Sequence, residues 1–149
     1  MMGFDINVRP TWDDYFMLIA QGVSLRSTCS RRSVGAVFVS ADNHILSTGY
    51  NGAPSGERHC CHTPEWVLGS PDGSTVVPSG DIKIVNGKTQ CSVVIHAELN
   101  AVLAAAKKGI ALQGSKLYVT YRPCEECSKF LKQLNLERIV CPELKITSQ

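Results

Sequence analysis

His96-Ala97-Glu98-Leu99 and, further on, Lys116-Leu117-Tyr118-Val119-Thr120-Tyr121-Arg122-Pro123-Cys124-Glu125-Glu126-Cys127 are the two stretches that decide the fold. The first opens a helical pattern: Leu99, Val102, Leu103 and Ala106 recur at one-turn spacing, and Lys107-Lys108-Gly109 closes it with cations and a C-cap glycine. The second runs from a strand-like segment (KLYVTY) into a helix expected from Cys124 to Leu134. Cys124 and Cys127, three residues apart, share one helix face, so both sulfurs can reach one ion. His96 and Glu98, two apart, diverge inside a helix and can meet one ion only beyond its end, which places them in the first turn. One imidazole and two thiols fill three corners of a tetrahedron and leave the fourth for water, the arrangement of a catalytic rather than a closed structural zinc site. Unpaired N–H groups at two helix starts are expected to lower the thiol pKa values. Zinc, two thiolates and a neutral imidazole sum to zero charge, so a bound water can ionise there, with Glu98 near enough to move its proton.

Working outward, Thr11 is a good N-cap for a helix from Trp12 to Ser24, with Phe16, Ile19, Ala20 and Val23 forming one apolar stripe. Trp12 and Phe16 read as core residues. A polar loop with three arginines, Arg26 to Arg32 (RSTCSRR), leads into Val34-Gly35-Ala36-Val37-Phe38-Val39, a buried strand. Ala41-Asp42-Asn43 turns the chain back into a second strand, His44 to Tyr50. With Lys116–Tyr121 and Arg138–Cys141 as further strands, the order is α-β-β-α-β-α-β. That order predicts a three-layer α/β/α domain whose mixed central sheet holds two helix N-termini on one side.

The H-A-E and P-C-x-x-C pair resembles the signature of the zinc-dependent cytidine and deoxycytidylate deaminase superfamily, from about Arg26 to Val140. The resemblance implies that His96, Cys124 and Cys127 bind Zn2+ and that Glu98 is a proton shuttle rather than a ligand. Gly49-Tyr50-Asn51-Gly52-Ala53-Pro54 after the second strand, and Arg26-Ser27 ahead of the V-G-A strand, resemble the deoxycytidylate branch, whose substrate is dCMP. In that branch Asn51 would contact the sugar and Arg26 and Ser27 would lie near the monophosphate, where an arginine selects a nucleotide over a nucleoside. Ala97 and Tyr121 are candidate contacts to base or sugar. Regulated members associate the loop of Gly49, Tyr50, Asn51 and Gly52 with a deoxynucleoside triphosphate between subunits. By that likeness dCTP, with Mg2+, would activate and dTTP inhibit a homohexamer.

Seven cysteines, an odd number, are many for a chain with no sign of secretion, and metal ligation accounts for them better than a disulfide framework. Cys29 and Cys60 stand where some deoxycytidylate deaminases place ligands of a second, structural zinc, and Cys91 can join them. His59, Cys61 or His62 could supply the fourth donor; His62 is favoured because its spacing from Cys60 lets both side chains turn toward one ion. The region 62–92, interrupted by Pro64, Gly69, Pro71, Gly73, Pro78, Gly80 and Gly87, reads as an insertion tied down by this metal. Short apolar pieces such as Val76-Val77 and Ile82-Lys83-Ile84-Val85 leave room for a small hairpin somewhere in it, it is expected near the substrate mouth, and Trp66 reads as a packing anchor.

The 149 residues suit one domain, 1–149. A formal net charge of +2 is too small for the broad basic surface of a non-specific polynucleotide binder. No apolar run reaches membrane-spanning length and the N-terminus lacks a signal peptide's apolar core, so a cytoplasmic enzyme without membrane contact is expected. Three other readings stay open. A different zinc deaminase would act on cytidine, RNA adenine or polynucleotide cytosine. A thiol redox protein would use C-x-x-C at a helix start and leave His96-Ala97-Glu98 idle. A non-catalytic zinc module would close both sites with four protein ligands.

Overall fold

A computed structural model describes residues 5–29, 31–60, 82–85 and 88–142. The N-cap forms as expected: the Thr11 hydroxyl accepts the Asp14 N–H at 3.2 Å, starting α1 (Trp12–Ser24). Strands β1 (Gly35–Val39) and β2 (Ile45–Tyr50) form the antiparallel hairpin. In the expected insertion, β3 (Ile82–Val85) and β4 (Lys88–Cys91) make a separate two-stranded sheet. Then follow α2 (Ala97–Lys107), β5 (Lys116–Val119), α3 (Glu125–Lys132) and β6 (Arg138–Val140). Residues 61–81 and 143–149, and with them Cys61, His62 and Trp66, lie outside the described residues.

The main sheet runs β2-β1-β5-β6. β1 is antiparallel to both neighbours, whereas β5 and β6 are parallel and joined through α3. Because strand side chains alternate between faces, β1 and β5 divide two helical layers between them. Val37, Val39 and Tyr118 meet Phe16, Met17 and Ala20 of α1. Ala36, Phe38, Leu117 and Val119 meet Ala97, Ala101 and Ala105 of α2 and Cys127 and Leu131 of α3. Helices α2 and α3 therefore share one layer, and β1 reads as a continuous apolar run because both its faces are covered. Among the described residues no helix is long and apolar enough to cross a membrane.

Two expectations are corrected. Trp12 is not a core residue: 51% of it is exposed, and its ring stacks on buried Phe16 with centroids 5.6 Å apart. A first-turn position puts it at the rim of the sheet, where it covers Phe16 from outside. The strand expected to reach Tyr121 ends at Val119. Thr120 still trades hydrogen bonds with Gly35, its N–H donating at 3.0 Å and its hydroxyl accepting at 3.0 Å. Pro123 then follows without an N–H to continue a ladder, and the chain leaves the sheet toward α3.

Asp13 ties the α1 layer to the sheet. Its carboxylate accepts from the Tyr118 hydroxyl at 2.6 Å and from Arg138 Nη1 at 2.8 Å. Arg138, foremost, holds the Asp13 carboxyl below its ordinary value. A depressed carboxyl stabilises the fold above the unfolded-state pKa and loses that contribution as the pH falls through the folded value. The pair is partly exposed, so Asp13→Asn should cost only about 1 kcal/mol at pH 7. In urea titrations the gap to the parent should close as the pH drops below the carboxylate range; a gap of constant size would remove the ion pair as its cause.

Candidate functional site

His96 is the N-cap of α2 with extended backbone (φ −65°, ψ 152°), and its ring makes no capping bond, leaving it to point past the helix end. The residue before it is fixed to the sheet layer: Ile95 and Gly52 exchange backbone hydrogen bonds of 2.8 and 3.1 Å. Cys124 is the N-cap of α3, its Sγ accepting the Cys127 N–H at 3.4 Å. The two helix starts bring His96 Nδ1 to 3.2 Å from Cys127 Sγ and 3.4 Å from Cys124 Sγ. A tetrahedral zinc with ordinary Zn–N and Zn–S bonds sets that N···S edge at about 3.6 Å, so this donor set fits the ion with small adjustment.

Glu98 lies in the first turn of α2 and is 3% exposed. Burial raises its carboxyl above the usual carboxylate range, while hydrogen bonding to Cys127 and to its own backbone, and the nearby His96, pull the other way. The same carboxylate works on its neighbour. Burial first, then the charge of Glu98 and the nearness of Cys124, push the Cys127 thiol up. A divalent cation reverses that balance, since a coordinating thiol is deprotonated outright.

Around this centre the expected ligand contacts separate. Asn51 is 5% exposed and ties down the arginine loop: its Oδ1 accepts from Val34 N at 2.8 Å and its Nδ2 donates to the Arg32 carbonyl at 2.7 Å. Among the described residues one lone pair and one N–H of that amide have no protein partner. The Ser27 hydroxyl lies 2.9 Å from the Asn51 carbonyl and 3.3 Å from that of Arg32. Arg26 and Ser27 line a cavity of about 370 Å³ with Leu25, Thr28, Cys29 and His59. The Ala97 methyl is buried in the core, so what Ala97 can offer a ligand is its first-turn N–H. Tyr121 is 37% exposed, and the Arg32 guanidinium lies over its ring, 4.0 Å from the centroid. Sequence reasoning gave Arg32 no role: the resemblance singles out Arg26, and nothing in RSTCSRR marks either of the other two arginines.

The loop assigned to an effector is mostly turned inward. A Cβ on Gly49 would fall 2.3 Å from the Ala101 nitrogen of α2, so the glycine is required by close helix packing. Gly52 is buried and its backbone is committed to Ile95, while Tyr50 is exposed. Asn100 joins this region to the centre, its Nδ2 donating to the Tyr50 carbonyl at 2.8 Å and the Ile95 carbonyl at 3.3 Å.

A second donor cluster forms where expected. The thiols of Cys29, Cys60 and Cys91 lie within 4.8 Å of one another. His59 does not join them, and the favoured fourth donor, His62, lies outside the described residues.

Residues 10–143 match the sequence model of the cytidine and deoxycytidylate deaminase zinc-binding region. The chain belongs to the cytidine and deoxycytidylate deaminase family. Within that family it is 40% identical over 135 residues to the deoxycytidylate deaminase of Mycobacterium phage D29, covering 91% of this chain and 97% of that protein. With the deoxycytidylate deaminase of Enterobacteria phage T4 it shares 35% over 141 residues, covering 82% of this chain and 72% of the relative. The crystal structure of dCMP deaminase from cyanophage S-TIM5, in complex with dCMP and dUMP, superposes with a TM-score of 0.66 at 32% identity, covering 90% of this chain and 82% of that one.

Proposed function

We propose that the chain hydrolyses dCMP to dUMP and ammonia. The observation that carries this reading is a three-donor set, His96, Cys124 and Cys127, with the buried Glu98 carboxylate beside it. Zinc held by those three residues would supply a Lewis acid that activates water for attack on C4 of the base. Glu98 accepts the proton that water loses and delivers it to ring N3, then takes the remaining proton from the new C4 hydroxyl and passes it to the amine, which leaves C4 as ammonia while the C4 carbonyl forms. Asn51 holds the deoxyribose with its remaining amide valences, and Arg26 and Ser27 sit toward the phosphate. Cys29, Cys60, Cys91 and His62 hold a second, structural zinc. The reduced thiols at both centres suit a cytoplasmic protein.

Regulation belongs to the same proposal: dCTP with Mg2+ activates and dTTP inhibits a homohexamer, with exposed Tyr50 as the part of the Gly-Tyr-Asn-Gly loop available to an effector. Saturation curves for dCMP with each triphosphate, alongside sedimentation, test it; curves that no triphosphate moves would remove the regulatory part.

The primary test offers zinc-loaded protein dCMP, cytidine, dCTP and single-stranded DNA and follows ammonia release. Turnover of dCMP well above the others is expected. Equal or greater turnover of cytidine or DNA would assign the site to another deaminase activity.

A further inference from the structure

We propose that Asn100 is a positioning residue that keeps the metal ligand and the sugar-holding residue in register: the two protons of its side-chain amide tie the carbonyl preceding His96 to the carbonyl preceding Asn51. The inference rests on the dCMP reading and adds to it a residue which that reading does not use.

Asn100 Nδ2 donates to the Tyr50 carbonyl at 2.8 Å and to the Ile95 carbonyl at 3.3 Å. Each acceptor is one peptide link from a residue of the site, since Asn51 follows Tyr50 and His96 follows Ile95. Asn100 also holds the far side of His96, its backbone N–H donating to the His96 carbonyl at 3.0 Å. Both carbonyls that bracket the imidazole therefore end on one residue. His96 is the N-cap of α2, yet its ring makes no capping bond. With that ring given to a metal, the turn has to be fixed by another group, and Asn100 is the group in place. Across the gap, the Tyr50–Asn51 peptide is gripped at both ends, its carbonyl by Asn100 and its N–H by the Val34 carbonyl at 3.2 Å.

The residue type suits the task. Two carbonyl acceptors require two protons on one donor atom, and asparagine carries such an NH2 on a short stem. The stem can be short because Gly49, without a Cβ, lets β2 approach α2 closely. Asparagine is a weak helix former, so in α2 it brings a local cost that the double hydrogen bond offsets. Between the two segments the backbone supplies an isolated bridge, Gly52 to Ile95. A lone bridge leaves its two chains free to twist about it, and the Asn100 amide adds the anchor that removes this freedom. A nucleotide held by its sugar at Asn51 presents C4 to the metal centre only while that spacing is kept, and a displacement of ~1 Å costs about 10²-fold in rate.

The test compares zinc-loaded parent, Asn100→Leu, Asn100→Gln, Asn51→Ala and the Asn51→Ala/Asn100→Leu double variant on dCMP. Leucine keeps the bulk without the donors, and glutamine keeps the amide on a longer stem. Calorimetry with dUMP gives the affinity and the number of sites per chain, alongside zinc content and melting temperature. Asn100→Leu should lower kcat about 10- to 100-fold, the cost of lost alignment. KM, zinc content and the number of dUMP sites should stay near parent values, because the contacts to the nucleotide persist and only their register with the metal is lost. Asn100→Gln should recover part of kcat. In the Asn51→Ala background, where the sugar is no longer held, Asn100→Leu should cost little more. An Asn100→Leu protein with the parent's kcat overturns the proposal. Equal losses in both backgrounds, or a loss of zinc or dUMP sites in step with kcat, overturn it as well, since each marks a structural role. If Asn51→Ala does not fold, the comparison of kcat with site number in Asn100→Leu decides alone. A parent protein with no preference for dCMP over cytidine overturns the dCMP reading itself, and this proposal with it; the parent assay alone distinguishes that outcome.

Discussion

Glu98→Gln should lower kcat for dCMP by roughly 10³-fold while zinc content stays at the parent level, the loss ascribed to a general acid–base group that serves two successive proton transfers. Glutamine keeps the shape of the side chain and a hydrogen-bonding oxygen but cannot carry a proton between water, N3 and the departing amine. Because the missing contribution is made only in the transition state, kcat and kcat/KM should fall together with KM little changed. The fold should not suffer: at 3% exposure an ionised carboxylate is costly to bury, and the amide avoids that cost. Ammonia release, metal analysis and a melting curve decide the matter. A variant within tenfold of the parent kcat would leave the carboxylate without the role given to it.

Cys127→Ser should remove the metal from the His96 centre and abolish turnover, a larger loss than the roughly 10- to 100-fold that accompanies loss of an outer-shell partner. Cys127 is 3% exposed, belongs to the core layer beneath the sheet, and lies within reach of His96 and Glu98. Exchange of sulfur for a hydroxyl weakens the zinc bond and leaves the buried carboxylate without its counter-charge, so the melting temperature should fall as well. With both centres filled in the parent, the metal count should drop from two per chain to one. Chelation followed by zinc should restore the parent and not the variant. A Cys127→Ser protein that keeps full zinc and full activity would exclude this thiol as a ligand.

What the sequence made legible follows from how strictly each feature constrains its residues. A metal site open on one side demands particular donor atoms at particular spacings, so His96, Cys124 and Cys127 stand out as candidate donors without any fold, and the structure brings the three together. Strands covered on both faces carry apolar runs, which exposes Gly35–Val39 and residues 117–119, and Thr11 marks the start of α1 by its hydroxyl. The remainder depends on partners distant in the chain. Gly49 looks like turn chemistry until α2 is seen against it; Arg32 is one arginine among three until Tyr121 arrives beneath it. Trp12 has the composition of a core residue, yet its register on the helix leaves half of it in water. The upward push on the Cys127 thiol comes from burial and from Glu98, and neither can be read from the C-x-x-C spacing.

Ala97, Ala101 and Ala105 form a seam of small side chains beneath α2, drawn tighter by the Ser47 hydroxyl donating to the Ala101 carbonyl at 2.6 Å and by bare Gly49 opposite. The helix bearing the imidazole and the carboxylate thus rests on a spacer one methyl thick, while the helix bearing the sulfurs is propped separately. Any bulkier graft in that seam tilts one half of the pincer against the other. Heat-sensitive alleles of such a gene should accumulate at these alanines, residues whose methyls never meet a nucleotide.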